Sequence, residues 1–183
     1  MGKIILVTGG ARSGKSKFAE ELALKLGEGR AAYIATAQIF DSEMAERVKI
    51  HKSRRGKNWI TFESPFNADK SITFAAQNFN AILFDCVTIY LSNFLCNANL
   101  DDENIFTKFE EWINNLITAA KNSDATIIFV SNEVGAGIVP ENKLARVFRD
   151  YAGLANQMLA KESEKVFLTI AGIAIDIKKL PTD

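Results

Sequence analysis

One stretch near the N-terminus constrains this chain more than any other: Gly9-Gly10-Ala11-Arg12-Ser13-Gly14-Lys15-Ser16 satisfies the pattern G-x-x-x-x-G-K-[ST]. It directly follows an apolar run, Lys3 to Thr8, and directly precedes helical spacing from Phe18 to Leu26. A strand that turns through glycines into a helix aims successive backbone N–H groups, and the positive end of the helix, at one spot. Such a spot suits phosphate. Lys15 then reaches the β and γ oxygens of a triphosphate, and Ser16 offers a hydroxyl to Mg²⁺. A glycine-rich turn beside a solvated lysine is the bland alternative, and the order strand, loop, helix argues against it.

The rest of the chain supplies a frame for that loop. Short β-branched runs alternate with stretches of helical spacing, which predicts an α/β protein with a mostly parallel sheet flanked by helices. Strands are expected at Lys3 to Thr8, Ala31 to Ala35, Trp59 to Phe62, Ala81 to Asp85, Thr126 to Ser131 and Val166 to Ala171, with one more near the C-terminus. Most are apolar throughout, as strands covered on both faces should be. Amphipathic stripes predict helices through Phe106, Phe109, Ile113, Leu116, Ile117 and Ala120, and through Leu144, Val147, Phe148, Tyr151, Leu154 and Met158. The polar segment Asn97 to Asn104 reads as a loop. No linker or repeat divides the 183 residues, so residues 1–183 are expected to form one domain.

Charge narrows the partners. The 22 basic residues balance 22 acidic ones, which leaves no net positive field for nucleic acid. The N-terminal apolar run is too short for a signal peptide or a membrane span, so a cytoplasmic protein with no membrane insertion is expected. Two cysteines, Cys86 and Cys96, match no metal-ligand spacing and read as buried small hydrophobes.

Within the site, Asp85 ends the apolar run Ile82-Leu83-Phe84 and is the candidate carboxylate for Mg²⁺; the alternative is a cap on the helix that follows. Cys86 and Thr88 beside it read as packing and capping. The D-x-x-G at Asp150 to Gly153 falls inside a predicted helix and no N-K-x-D follows, so a Ras-like switch is excluded. A protein kinase is excluded by length and by the missing H-R-D loop. What remains is phosphoryl transfer to a small molecule.

The composition contains one histidine, His51. Arg47, Lys52, Arg54, Arg55 and Lys57 surround it in sequence, and such a cluster suits a triphosphate and lowers an imidazole's pKa. Two readings stand side by side from these residues: a nucleophile for nucleotidyl transfer, or an ordinary histidine on a charged surface helix.

Several segments together resemble one family, the bifunctional adenosylcobinamide kinase/adenosylcobinamide-phosphate guanylyltransferases of cobalamin biosynthesis. They are ILVTGGARSGKS (Ile5 to Ser16), YIATAQ (Tyr33 to Gln38), RVKIHKSRR (Arg47 to Arg55), WITFE (Trp59 to Glu63), DCVT (Asp85 to Thr88), SNEVGAGIVPEN (Ser131 to Asn142) and ARVFRDYAG (Ala145 to Gly153). Gly56 stands where a proline is expected after the arginines, and Ser64 where an acid is common. The resemblance implies a RecA-like P-loop fold and a homo-oligomer, a trimer. It implies that Gly9 to Ser16 bind nucleotide phosphates, that Thr36, Ala37 and Gln38 line the same pocket, and that Lys52, Ser53, Arg54 and Arg55 contact GTP. Glu63 and Asp85 also match nucleotide-binding positions, with Asp85 favoured for metal. His51 is implied as the residue that becomes guanylylated, ATP and GTP as substrates, Mg²⁺ as cofactor and adenosylcobinamide as acceptor. The runner-up is another P-loop kinase of a small metabolite, with His51 a bystander.

Overall fold

Continuous apolar runs build the centre of the molecule. The computed structural model describes residues 2–38 and 56–181; His51, Lys52, Ser53, Arg54 and Arg55 lie outside the described residues. Seven strands among the described residues form one sheet: β1 (Lys3–Gly9), β2 (Ala31–Ala35), β3 (Trp59–Glu63), β4 (Ala81–Asp85), β5 (Thr126–Asn132), β6 (Lys165–Ile170) and β7 (Ile173–Asp176). Their order is β3-β2-β4-β5-β1-β6-β7. Every pairing is parallel except β6 with β7. The mostly parallel α/β class expected from the alternation of runs is therefore the one found.

Among the described residues, five α-helices cover the sheet: α1 (Lys15–Leu26), α2 (Ala68–Ala75), α3 (Val87–Cys96), α4 (Ile105–Lys121) and α5 (Lys143–Glu162). Side chains alternate across each strand, so each face has its own core. Ile5, Val7, Tyr33, Leu83, Ile128 and Val130 meet Ala19 and Ala23 of α1. Those two alanines, one turn apart, let the helix sit close to the strands. On the other face Leu6, Ile34, Phe84 and Phe129 pack against α2 to α5. There an aromatic ladder joins three helices: Tyr90 stacks on Trp112 at 5.1 Å, Trp112 on Phe109 at 5.9 Å, and Phe109 lies 4.5 Å from Tyr151. Each such pair contributes about 0.5–1.5 kcal/mol beyond its buried area.

Three differences from the sequence reading have plain causes. α3 shows no stripe because it is buried on most sides, with Val87, Tyr90, Leu91 and Leu95 all inside. β6 stops at Ile170, because Ala171 adopts φ 51° and opens the turn into the C-terminal strand. Cys96, expected inside, is exposed at the end of α3, whereas Cys86 is buried as expected.

Candidate nucleotide site

The phosphate loop hangs between β1 and α1. β1 lies between β5 and β6, so the loop leaves the middle of the sheet's carboxyl edge, where open α/β sheets bind ligands. Glycine is required at two of its positions. A Cβ on Gly9 would stand 2.4 Å from the Thr169 carbonyl oxygen. Gly14 has φ 94°, a left-handed conformation costly for other residues, and immediately precedes α1.

Neighbours on both sides hold the loop. Its first residue accepts a bond from Glu133 N–H, just past β5, at 3.0 Å, and the Ser13 carbonyl accepts from Gly172 N–H at 2.8 Å. Gly172 belongs to the turn between β6 and β7, so the last hairpin supports the phosphate loop from outside. Nothing in the local pattern of residues 9–16 signals that support; the glycine at 172 was its only trace in the sequence.

Lys15 is buried, with 8% of its surface exposed, and its Nζ donates to the Gly10 carbonyl at 3.1 Å. Burial pushes its ammonium below the usual lysine range, and the nearby Cys86 and Asp85 pull in the opposite direction. Register places the carboxylates along one edge: Ala35 of β2 lies opposite both Asp85 and Glu63. Asp85 accepts a hydrogen bond from the Tyr33 hydroxyl through Oδ2. It does not cap α3, whose N-cap position is Cys86.

Behind Asp85 lies a hydrogen-bonded floor that sequence reasoning missed. Thr36 is completely buried, and its Oγ1 accepts from Cys86 N–H at 2.9 Å while lying 3.0 Å from the carbonyl oxygens of Asp85 and Cys86. The side chain proposed to line the pocket is thus turned inward, where it fixes the end of β4. Asn93 Nδ2 donates to the Thr36 carbonyl at 2.8 Å. Thr88, expected to cap a helix, instead accepts from Asn132 Nδ2 at 2.7 Å, and its hydroxyl lies 3.2 Å from Cys86 Sγ. Burial and the Asp85 charge push the Cys86 thiol up to about 11, so it is neutral at ordinary pH. Ala37 and Gln38 continue from Thr36 at the same edge, and the enclosed Gln38 Nε2 has no partner among the described residues.

The donor set suits a hard divalent cation. Ser16 offers a hydroxyl at the start of α1, and Asp85 a carboxylate whose field reaches the lysine next to that serine. Oxygen ligands of this kind, completed by phosphate and water, are what Mg²⁺ takes. No cluster of three or more His, Cys, Asp or Glu residues occurs among the described residues, so a metal here would depend on the nucleotide for further ligands.

Loop, buried lysine and edge carboxylates define a P-loop nucleotide-binding protein of the α/β class. Comparison with known proteins narrows this. The family model described as cobinamide kinase / cobinamide phosphate guanyltransferase matches residues 5–177, and the chain belongs to that family of bifunctional enzymes. The bifunctional adenosylcobalamin biosynthesis protein CobU of Salmonella typhimurium is 43% identical over 183 residues, covering 96% of this chain and 99% of that protein. CobP of Pseudomonas aeruginosa, which carries the same description, is 38% identical over 177 residues, covering 96% of this chain and 98% of its own. Among solved structures, the KaiC-like protein PH0186 from Pyrococcus horikoshii OT3 aligns with 91% of this chain and 70% of its own, at 13% identity and a TM-score of 0.48. The flagellar accessory protein FlaH from Methanocaldococcus jannaschii aligns with 94% and 74%, at 12% identity and a TM-score of 0.49. Among the described residues, no helix is long and apolar enough to cross a membrane.

Proposed function

We propose that this enzyme phosphorylates adenosylcobinamide from a nucleoside triphosphate, ATP or GTP, held at Gly9 to Ser16, and then transfers GMP from GTP by way of a guanylylated His51. The observation that carries the first half is the buried Lys15 at the head of α1, facing the Asp85 edge. A cation in so dry a place interacts with phosphate far more strongly than one in water. Lys15 and the loop N–H groups hold the triphosphate in line with the acceptor hydroxyl of the aminopropanol arm, so catalysis is mainly positioning and charge stabilisation. Ser16 and Asp85 would hold Mg²⁺, which neutralises charge on the β and γ oxygens when bound. Thr36 keeps Asp85 in place from below.

In the second reaction a ring nitrogen of His51 attacks the α-phosphorus of GTP, and the bond to pyrophosphate breaks. An oxygen of the corrinoid phosphate then displaces the histidine, giving adenosylcobinamide-GDP. Lys52, Ser53, Arg54 and Arg55 contact the GTP, and Glu63 is a further contact to the nucleotide. Two things support this half: membership of the family, and a sequence in which His51 is the single imidazole. The same reading includes a cytoplasmic one-domain protein that assembles as a homotrimer, as the family resemblance implies, with the bulky corrinoid in an open cleft. The exposed Ile173 and Ile175 on the edge strand β7 agree with such an assembly.

Incubation with GTP labelled at the α-phosphate tests the reading directly. The protein should take up acid-labile, base-stable label that maps to His51, and His51→Ala should abolish both label and guanylyl transfer while retaining corrinoid phosphorylation. An active preparation that takes no label would leave a P-loop kinase with His51 a bystander.

A further inference from the structure

The segment Ala145 to Gly153 takes no part in the chemistry described so far, although its helix reaches the site. Asn156 of α5 donates through Nδ2 to the Asn132 carbonyl at the end of β5, at 3.5 Å. Asn132 in turn lies opposite Gly9, the first residue of the phosphate loop. The part of α5 before Asn156 therefore extends beyond the strand ends, on the side where the loop lies. Arg149 precedes Asn156 by two turns, which puts it on the same stripe of the helix and about 10 Å further out at 1.5 Å per residue. The stripe faces inward, for Ala152 between them is buried.

Arg149 Nη1 is enclosed and has no hydrogen-bond partner among the described residues, nor does any carboxylate there form a salt bridge with Arg149. Arg146, one turn earlier, is by contrast committed to the carbonyls of Pro140 and Glu141. Arg149 as a whole is half-buried, so one edge of its guanidinium is shut off from water while the rest stays accessible; an enclosed donor without a partner is costly, and the fork geometry matches a phosphate. The nucleotide's own phosphates are served by the loop and Lys15 in the proposed function. Arg149 lies outward of that cradle along α5, beyond the strand ends.

We propose that Arg149 binds the phosphate of cobinamide phosphate, the compound named in the family's second activity and formed by its first. This rests on the nucleotide occupying Gly9 to Ser16. One guanidinium would then serve both reactions, receiving the phosphate as it is formed and presenting it for guanylylation.

The test is steady-state guanylyl transfer by the intact enzyme and by Arg149→Gln and Arg149→Lys, with each substrate varied in turn. Arg149→Gln should raise the KM for cobinamide phosphate at least about tenfold and leave the KM for GTP within about twofold. Arg149→Lys, which restores charge but not the fork, should fall between. Labelling by α-labelled GTP alone should match wild type in both variants. If the two KM values rise together, or if neither changes, the assignment is overturned. Should Arg149→Gln fail to fold, Arg149→Lys decides: a rise confined to cobinamide phosphate supports the site, and wild-type KM values refute it. Absence of label in the wild type would instead strike the His51 reading, and the KM comparison would still stand.

Discussion

Two segments leave the carboxyl edge beside the phosphate loop, and they are built in opposite ways. After β4 the chain enters α3 at once, through Asp85, Cys86, Val87 and Thr88, and the last three are buried. After β5 it runs out along the loop from Glu133 to Glu141, where Ile138 is 96% exposed and Val139 63%. The first segment is fastened by Thr36, Tyr33 and Asn132, the second by Arg146 and by a bond from Gly135 N–H to Glu133. Asp85, proposed to meet the metal, sits on the fastened side, where fixed distances can be kept. The open side leaves apolar side chains in solvent, with few bonds to hold their positions.

Breaking the fastened side at its charge should have the largest effect. Lys15→Ala should lower both activities by roughly 100-fold or more, because both depend on bound triphosphate, and steady-state rates for the two reactions check this. A pH series sharpens the point. Burial lowers the Lys15 pKa, so the neutral amine forms at lower pH than in an ordinary lysine. Triphosphate affinity should accordingly weaken as pH rises towards the usual lysine range, starting below it, and Lys15→Arg should flatten that decline.

Thr36→Val keeps the volume at this position but removes the acceptor for Cys86 N–H, leaving a buried donor unpaired. A loss of about 1–3 kcal/mol in urea unfolding is expected, and Thr36→Ser should recover part of it. An unchanged midpoint would show that the floor beneath Asp85 is not held as described.

The two cysteines offer a probe that alters nothing in the fold. At pH 8 a thiol reagent should modify the exposed Cys96 promptly and Cys86 only on unfolding, since Cys86 is buried and its thiol is raised to about 11. The smallest effect belongs to the open segment: Ile138→Ser should change stability by less than about 0.5 kcal/mol, because the side chain loses almost no contact with the rest of the protein. A large loss there would erase the contrast between the two segments.

What the sequence made legible follows the same division. Strands, the phosphate loop and α5 were readable because each rests on local pattern: apolar runs, glycine spacing, a stripe every third or fourth residue. The polar loop from Asn97 to Asn104 separates α3 from α4 as expected. The floor under Asp85 was not readable. Thr36, Cys86, Thr88, Asn93 and Asn132 come from just past β2, the cap and body of α3, and the end of β5, and a small polar residue in an apolar setting looks the same whether it caps a helix or fastens two strands. Thr88 was misread for that reason. The inward turn of Thr36 likewise depends on the β2–β4 register, and register between distant strands leaves no mark in either strand alone.

The bond from Gly172 to Ser13 bears on how the enzyme comes into being. The signature residues are synthesised long before their brace, which lies at Gly172, much further along the chain, and β1 itself cannot acquire both neighbours until β5 and β6 exist. A nascent chain that has completed its recognisable motif is therefore not yet able to present it. Competence to grip a nucleotide should arrive late and abruptly during synthesis, and a product cut short before the final hairpin would retain every diagnostic residue of the phosphate loop while lacking the support that shapes it.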